Sequence, residues 1–221
     1  MKAMILAAGR GERLGELTTY RPKPLLEVAG ESLIHRHLRR LHEAGVTDIV
    51  INLCYLGEQI RSALGEISQW GQRLSYSVEK MPALETGGGI INALPLLGPD
   101  PFIVVNADVF TDFDFATLRC GRRDGLVMLV ANPAHHAQGD FGLTTSGAVT
   151  VTPPFLTYGG VAIFAPLLFD GFGPGRRPLR PILDAAIERG VLKGARHTGV
   201  WQDVGTAERL AEIREQFDES S

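Results

Sequence analysis

The sequence predicts an α/β fold of three layers, with a mostly parallel central sheet covered on both faces and a small β-rich rim. Strand-like and helix-like runs alternate along the chain, as in successive strand–helix units. Phe102-Ile103-Val104-Val105 is an unbroken apolar run, as expected of a central strand buried on both faces. From Asp140 onward β-formers gather around Ser146-Gly147 across Phe141 to Val151, which predicts a hairpin on the rim.

Lys2 to Ala8 reads as a buried first strand that runs into a glycine-rich turn. Ser32 is placed to cap a helix with apolar positions Leu33, Ile34, Leu38 and Leu41, and Gly45 to stop it. Strand Asp48 to Leu53, helix Glu58 to Leu64 ending at Gly65, and strand Leu74 to Val78 follow. Gly88 to Leu94 reads as a helix halted by Pro95. Leu126 to Val130 and Gly160 to Phe164 are further strands, and Pro178 to Arg189 and Thr206 to Phe217 further helices. At 221 residues the chain has room for one α/β core and is short for two. With no internal repeat or low-complexity linker, residues 1–217 read as a single domain and 218–221 as a polar tail.

Composition narrows the function. Hydrophobic residues make up 44% and charged residues 21%, ordinary for a globular protein. The formal net charge is −3, from 22 basic and 25 acidic residues without a basic block, which argues against a nucleic-acid partner. No segment has the apolar length needed to cross a bilayer, and the run before Gly9 is too short for a signal peptide. Cys54 and Cys120 have no paired metal or redox spacing, so a reducing cytoplasm is expected.

Four constellations carry chemistry. Leu6-Ala7-Ala8-Gly9-Arg10-Gly11-Glu12-Arg13 puts two glycines directly after the first strand. Their backbone N–H groups can approach phosphate oxygens, and Arg13 adds a fork-shaped permanent charge, although a tight turn would use the same glycines. No Gly-Lys-Ser/Thr follows, and position 14 is Leu, so neither a P-loop nor a dinucleotide fingerprint is present. Pro22-Lys23-Pro24 braces one lysine between two residues of fixed φ. Asp108, just past the most apolar strand in Asn106-Ala107-Asp108, and Asp203, just before the last helix, are two carboxylates suited to a hard cation. A turn former and a helix-flanking acid are the plainer readings of the same two residues. Thr86-Gly87-Gly88-Gly89 opens a helix at a cost in helix stability, which suggests close approach of a flat ligand.

Together, Leu-Ala-Ala-Gly-x-Gly-x-Arg, Pro-Lys-Pro-Leu, Asn-x-Asp and Asp-Val-Gly-Thr, in this order over almost the whole chain, resemble the sugar-1-phosphate nucleotidylyltransferases. The segments Leu84 to Ile90, Asn132 to Phe141 and Asp203 to Leu210 are most similar to the uridylyltransferase branch acting on N-acetylmuramate 1-phosphate. Ala107 departs from the usual Gly, and Val151-Thr152-Pro153-Pro154 stands where many relatives have Glu-Lys-Pro. The resemblance implies a Rossmann-like nucleotidyltransferase fold with a rim subdomain for the sugar, and two substrates, a nucleoside triphosphate and a sugar 1-phosphate. It implies in-line attack on the α-phosphorus with Arg13 on the β- and γ-phosphates, Lys23 on the α-phosphate, and Mg²⁺ on Asp108 and Asp203. Ala7, Ala8, Gly9, Gly11, Glu79, Gly88 and Asn106 are expected around the nucleotide, with the backbone near Ala7 and Gly88 reading the base. Asp140 and Gly142 are expected at the acceptor sugar. His135 and His136, as neighbours in a strand, would point opposite ways, so at most one would face it. A guanylyltransferase for mannose or heptose 1-phosphate, and a non-catalytic nucleotide-sensing domain, fit the same motifs.

Overall fold

The structure, a computed structural model, describes residues 1–218; of the expected polar tail, 219–221 lie outside the described residues. In chain order the strands and helices begin with β1 (Lys2–Leu6), the small pair β2 (Glu27–Val28) and β3 (Glu31–Ser32), α1 (Leu33–Glu43) and β4 (Asp48–Leu53). They continue with α2 (Gly57–Leu64), β5 (Arg73–Val78), α3 (Glu85–Leu97), β6 (Phe102–Asn106), β7 (Val109–Thr111) and β8 (Gly125–Val130). The hairpin β9 (Phe141–Leu143) and β10 (Val149–Thr150), then β11 (Phe155–Phe164), α4 (Arg180–Glu188), β12 (Leu192–Arg196), β13 (Trp201–Asp203) and α5 (Ala207–Asp218) complete the chain.

The central sheet runs β5-β4-β1-β6-β11-β8-β12, with β9 and β10 carried on the first part of β11. Its strands are parallel except where β11 enters between β6 and β8. Register levels the strand ends that matter: Leu6 of β1 lies opposite Asn52 on one side and Asn106 on the other. The loops that follow therefore open together at the carboxyl edge of the sheet, where ligands bind in open α/β folds.

Alternation along the strands sorts the core into two faces. Ile5, Ile51, Ile103 and Val105 pack on Ile34, Leu38 and Leu41 of α1 and Ile60 of α2. Met4, Val50, Phe102 and Val104 pack on Ile90, Ala93 and Leu97 of α3 and Ile182 and Leu183 of α4. The predicted continuous run at 102–105 is thus apolar because each of its residues has a core to face. A third cluster joins Leu14, Leu26, Val28, Leu33, Phe110 and Val204 to Leu210 and Ile213 of α5.

Several boundaries differ from expectation for physical reasons. Ser32 caps α1 as predicted, its side chain accepting from the His35 N–H. The predicted 88–94 helix is longer, and Pro95 lies inside it. So near the end, the ring costs only one terminal bond, while burial of Leu97 draws the turn onward. β11 begins well before Gly160, because its early residues pair with β9 while its later ones pair with β6. A register shift between Tyr158 and Ala162, with Gly160 at φ +71°, makes this change of partner possible. Among the described residues no helix is long and apolar enough to cross a membrane.

Candidate active site

The floor of the carboxyl-edge cleft is a buried polar relay. The Ala7 N–H donates to Asn52 Oδ1 at 2.7 Å, and Asn52 Nδ2 donates to Glu79 Oε1 at 2.7 Å. Glu79 Oε2 accepts from the Leu84 N–H at 2.8 Å. Both carboxylate oxygens of Glu79 therefore accept a hydrogen bond from the protein, which fixes the side chain at the edge of the cleft. Asn52, which the sequence reading passed over, had a signal: it is a buried polar residue in the otherwise apolar strand Ile-Val-Ile-Asn-Leu.

Above this floor the glycine loop turns out of β1. Gly11 has φ +68°, and its carbonyl accepts from the Leu14 N–H at 2.9 Å and the Thr18 hydroxyl at 3.0 Å. A side chain at Gly9 would meet nothing within 4 Å, so that glycine faces open cleft. Arg13 is exposed, and Arg10 lies over the Tyr55 ring.

Lys23 sits in a 3₁₀ turn between its prolines, and its Nζ reaches Asp108 Oδ2 at 2.5 Å. Asp108 meets Asp203 through a ribbon outside the main sheet. β7 pairs antiparallel with β13, setting Asp203 opposite Val109, and the Val204 N–H donates to the Asp108 carbonyl at 2.8 Å. Asp203 Oδ2 receives Arg209 Nη1 at 2.5 Å, and its Oδ1 lies 3.0 Å from His135 Nε2. Oδ1 is buried yet accepts no aligned hydrogen bond, and the same holds for Asn106 Oδ1. Among the described residues no three His, Cys, Asp or Glu side chains form a metal cage. Two carboxylates with an unsatisfied oxygen nonetheless fit a hard divalent cation that draws its other ligands from phosphates and water.

Two cavities share Arg13, Asn106 and Asp108. The first, about 620 Å³, is lined by Ala7, Ala8, Gly9, Gly11, Arg13, Lys23, Glu79, Asn106 and Asp108, so it gathers the expected nucleotide-side residues except Gly88. The second, about 320 Å³, adds His135, His136, Asp140, Tyr158, Trp201 and Asp203. Asp140, at the second cavity, is held by His136 Nε2 at 3.0 Å and the Tyr158 N–H at 2.8 Å. The Tyr158 hydroxyl is buried without a partner, and burial raises its pKa. Trp201 Nε1 donates to the Gly159 carbonyl at 2.9 Å, tying the ribbon to the β11 bulge.

Three expectations are corrected. Gly88 is buried and packs on protein: its N–H donates to the Arg177 carbonyl at 2.9 Å, and a Cβ there would collide with the Gly175 carbonyl. A Cβ at Gly87 would strike the Pro178 carbonyl, and one at Gly89 the Glu79 carboxylate. Gly87 and Gly88 thus serve close approach of the 175–178 backbone to the helix, and Gly89 leaves room for the Glu79 and Asn52 side chains. Gly142 is enclosed in the β9–β10 hairpin, where a Cβ would meet the Thr152 carbonyl, and it lines neither cavity. His135 and His136 lie in a 3₁₀ turn after Pro133, not in a strand, so both rings reach the second cavity.

The glycine loop, Lys23 and the two aspartates border two adjoining cavities, a layout that suits an enzyme that moves a nucleotidyl group. The chain belongs to the nucleotidyl transferase family, whose profile matches residues 2–149. It is 48% identical to an N-acetylmuramate alpha-1-phosphate uridylyltransferase of Neisseria meningitidis serogroup B, over 97% of each chain. It is 35% identical to the enzyme of the same name from Caulobacter vibrioides, over 96% of each. In fold it superimposes on a UDP-glucose pyrophosphorylase solved with UDP-glucose, with a TM-score of 0.82 at 19% identity, over 100% of this chain and 99% of that one.

Proposed function

We propose that the protein transfers the uridylyl group of UTP to N-acetylmuramate 1-phosphate, forming UDP-N-acetylmuramate and pyrophosphate for cell-wall recycling. The observation that carries this reading is the end-to-end match to two enzymes of that name, which spans the acceptor side as well as the nucleotide loop. Two free cysteines agree with action in a reducing cytoplasm.

In this reading a phosphate oxygen of the acceptor attacks the α-phosphorus of UTP while the bond to the β-phosphate breaks and pyrophosphate leaves. Little covalent protein chemistry is required; positioning and charge neutralisation lower the barrier. The backbone of Ala8, Gly9 and Gly11 cradles the triphosphate, and Arg13 takes its β- and γ-phosphates. Lys23 moves from Asp108 to the α-phosphate and the incoming phosphate, whose mutual repulsion it offsets. Ala7 and Asn106 border the nucleoside, and Asn52 and Glu79 hold that border rigid. Asp108 and Asp203 are the residues that would hold Mg²⁺, which when bound neutralises charge on the phosphates of both substrates. Asp140 is retained as an acceptor contact, with His135, His136 and Trp201 beside it; Gly142 is not, because it is enclosed.

A panel of nucleoside triphosphates crossed with sugar 1-phosphates, scored by pyrophosphate release, tests this. UTP with N-acetylmuramate 1-phosphate is expected to give the highest kcat/KM. Higher values for GTP with mannose or heptose 1-phosphate would replace the reading with a guanylyltransferase. Tight nucleotide binding without turnover on any acceptor would leave a sensing domain.

A further inference from the structure

Asp203 is the more elaborately held of the two carboxylates. Arg209, in the first turn of α5, places Nη1 2.5 Å from Asp203 Oδ2 and 2.8 Å from His135 Nε2. Its side chain is only 16% exposed. The guanidinium lies against Gly205, in space that a Cβ at that position would fill. Arginine only donates, so His135 Nε2 is the acceptor of this contact. One cation thus ties together the β7–β13 ribbon, α5 and the 134–136 turn. It holds Oδ2 of Asp203, while Oδ1, buried and without an aligned hydrogen bond, lies 3.0 Å from His135 Nε2.

We infer that Arg209 is a positioning residue that fixes the Asp203 carboxylate at the second cavity, in the orientation from which it would meet the divalent cation. This rests on the proposed placement of the cation at Asp108 and Asp203. Lys23 differs: its single ammonium has one partner there, and it can leave Asp108 by swinging a flexible stem. Arg209 would have to give up two partners and a fitted enclosure. The opposite idea, that Arg209 merely occupies the site and must be displaced by the metal, makes the opposite prediction.

The test measures how much Mn²⁺ strengthens UTP binding to the full-length protein, by titrating UTP in EDTA and again in Mn²⁺ without acceptor. Wild type is expected to gain affinity with Mn²⁺, and Asp203→Asn to lose that gain. Arg209→Met is expected to shrink the gain by roughly ten- to a hundred-fold, as for other partners of metal ligands, while affinity in EDTA stays within about two-fold. A wild-type or enlarged gain in Arg209→Met overturns the inference and leaves the metal placement standing. A full gain in Asp203→Asn overturns the placement and the inference with it. Should Arg209→Met fail to fold, Arg209→Lys carries the test. Its shorter stem and compact ammonium do not reproduce the planar guanidinium fitted against Gly205, so a reduced gain is expected and an unchanged one overturns the inference.

Discussion

Lys23 and Asp108 depend on each other, because each is partly buried and each is the other's counter-charge at 2.5 Å. Asp108→Asn keeps the shape and removes the charge. It is expected to lower kcat by about 10²- to 10³-fold, the scale of losing one preorganised electrostatic group, with far-UV circular dichroism unchanged. Near-normal turnover at ordinary Mg²⁺ would remove Asp108 from the metal site. His37 raises a different matter. It is fully buried in α1 beside Phe115, and neither ring nitrogen makes an aligned hydrogen bond. Burial, with Arg36 next, pushes its pKa down to about 4 from 6.5. Between those values the unfolded chain binds a proton that the folded chain does not, so stability falls as pH drops from 6.5 towards 4 and is insensitive to His37 above 6.5. The full gap is worth about 3 kcal/mol. Urea unfolding of His37→Leu should show a flatter pH dependence across that window than wild type; parallel curves would refute it.

Glycines separate the roles of the elements. Gly88→Ala must push the start of α3 off the Gly175 carbonyl, and is expected to cost about 1–3 kcal/mol in urea unfolding, as overpacking does. Gly9→Ala has empty space and no positive φ, so stability should change by less than about 0.5 kcal/mol. Its effect should fall on KM for the triphosphate, because the methyl group enters the cleft. Equal stability losses in the two variants would contradict this division. The same comparison shows what was legible beforehand. The glycine loop after β1 was readable because a strand end, two glycines and an arginine form a contiguous signal. The packing of Gly87 and Gly88 is not legible in sequence, because their partner, the 175–178 backbone, is remote along the chain. The β7–β13 ribbon went unnoticed because three-residue strands carry too little alternation to register. Its histidine neighbours were assigned a strand's geometry where Pro133 starts a turn.

At the scale of the molecule, the alternating elements and the 102–105 run were enough to place the sheet and its active edge, since burial on two faces dictates composition directly. The third cluster was not readable, because it gathers residues from both ends of the chain. Leu210→Ala tests its importance: the side chain is 1% exposed, and its loss is expected to cost about 2–5 kcal/mol. Hydrogen exchange should rise first in α5 and the ribbon, while β1, β4 and β6 stay protected; uniform loss of protection would argue against a separable unit. The ribbon has a consequence for synthesis. As the chain leaves the ribosome from its N-terminus, the glycine loop, Lys23 and Asp108 emerge early, and β1, β4 and β6 can assemble around them. β13 and α5 come last, bringing Asp203 and Arg209. Residues up to Asp108 thus carry most of the lining of the first cavity but only one of the two carboxylates proposed for the cation. On the proposed roles, the carboxylate pair is complete only once β13 has docked on β7.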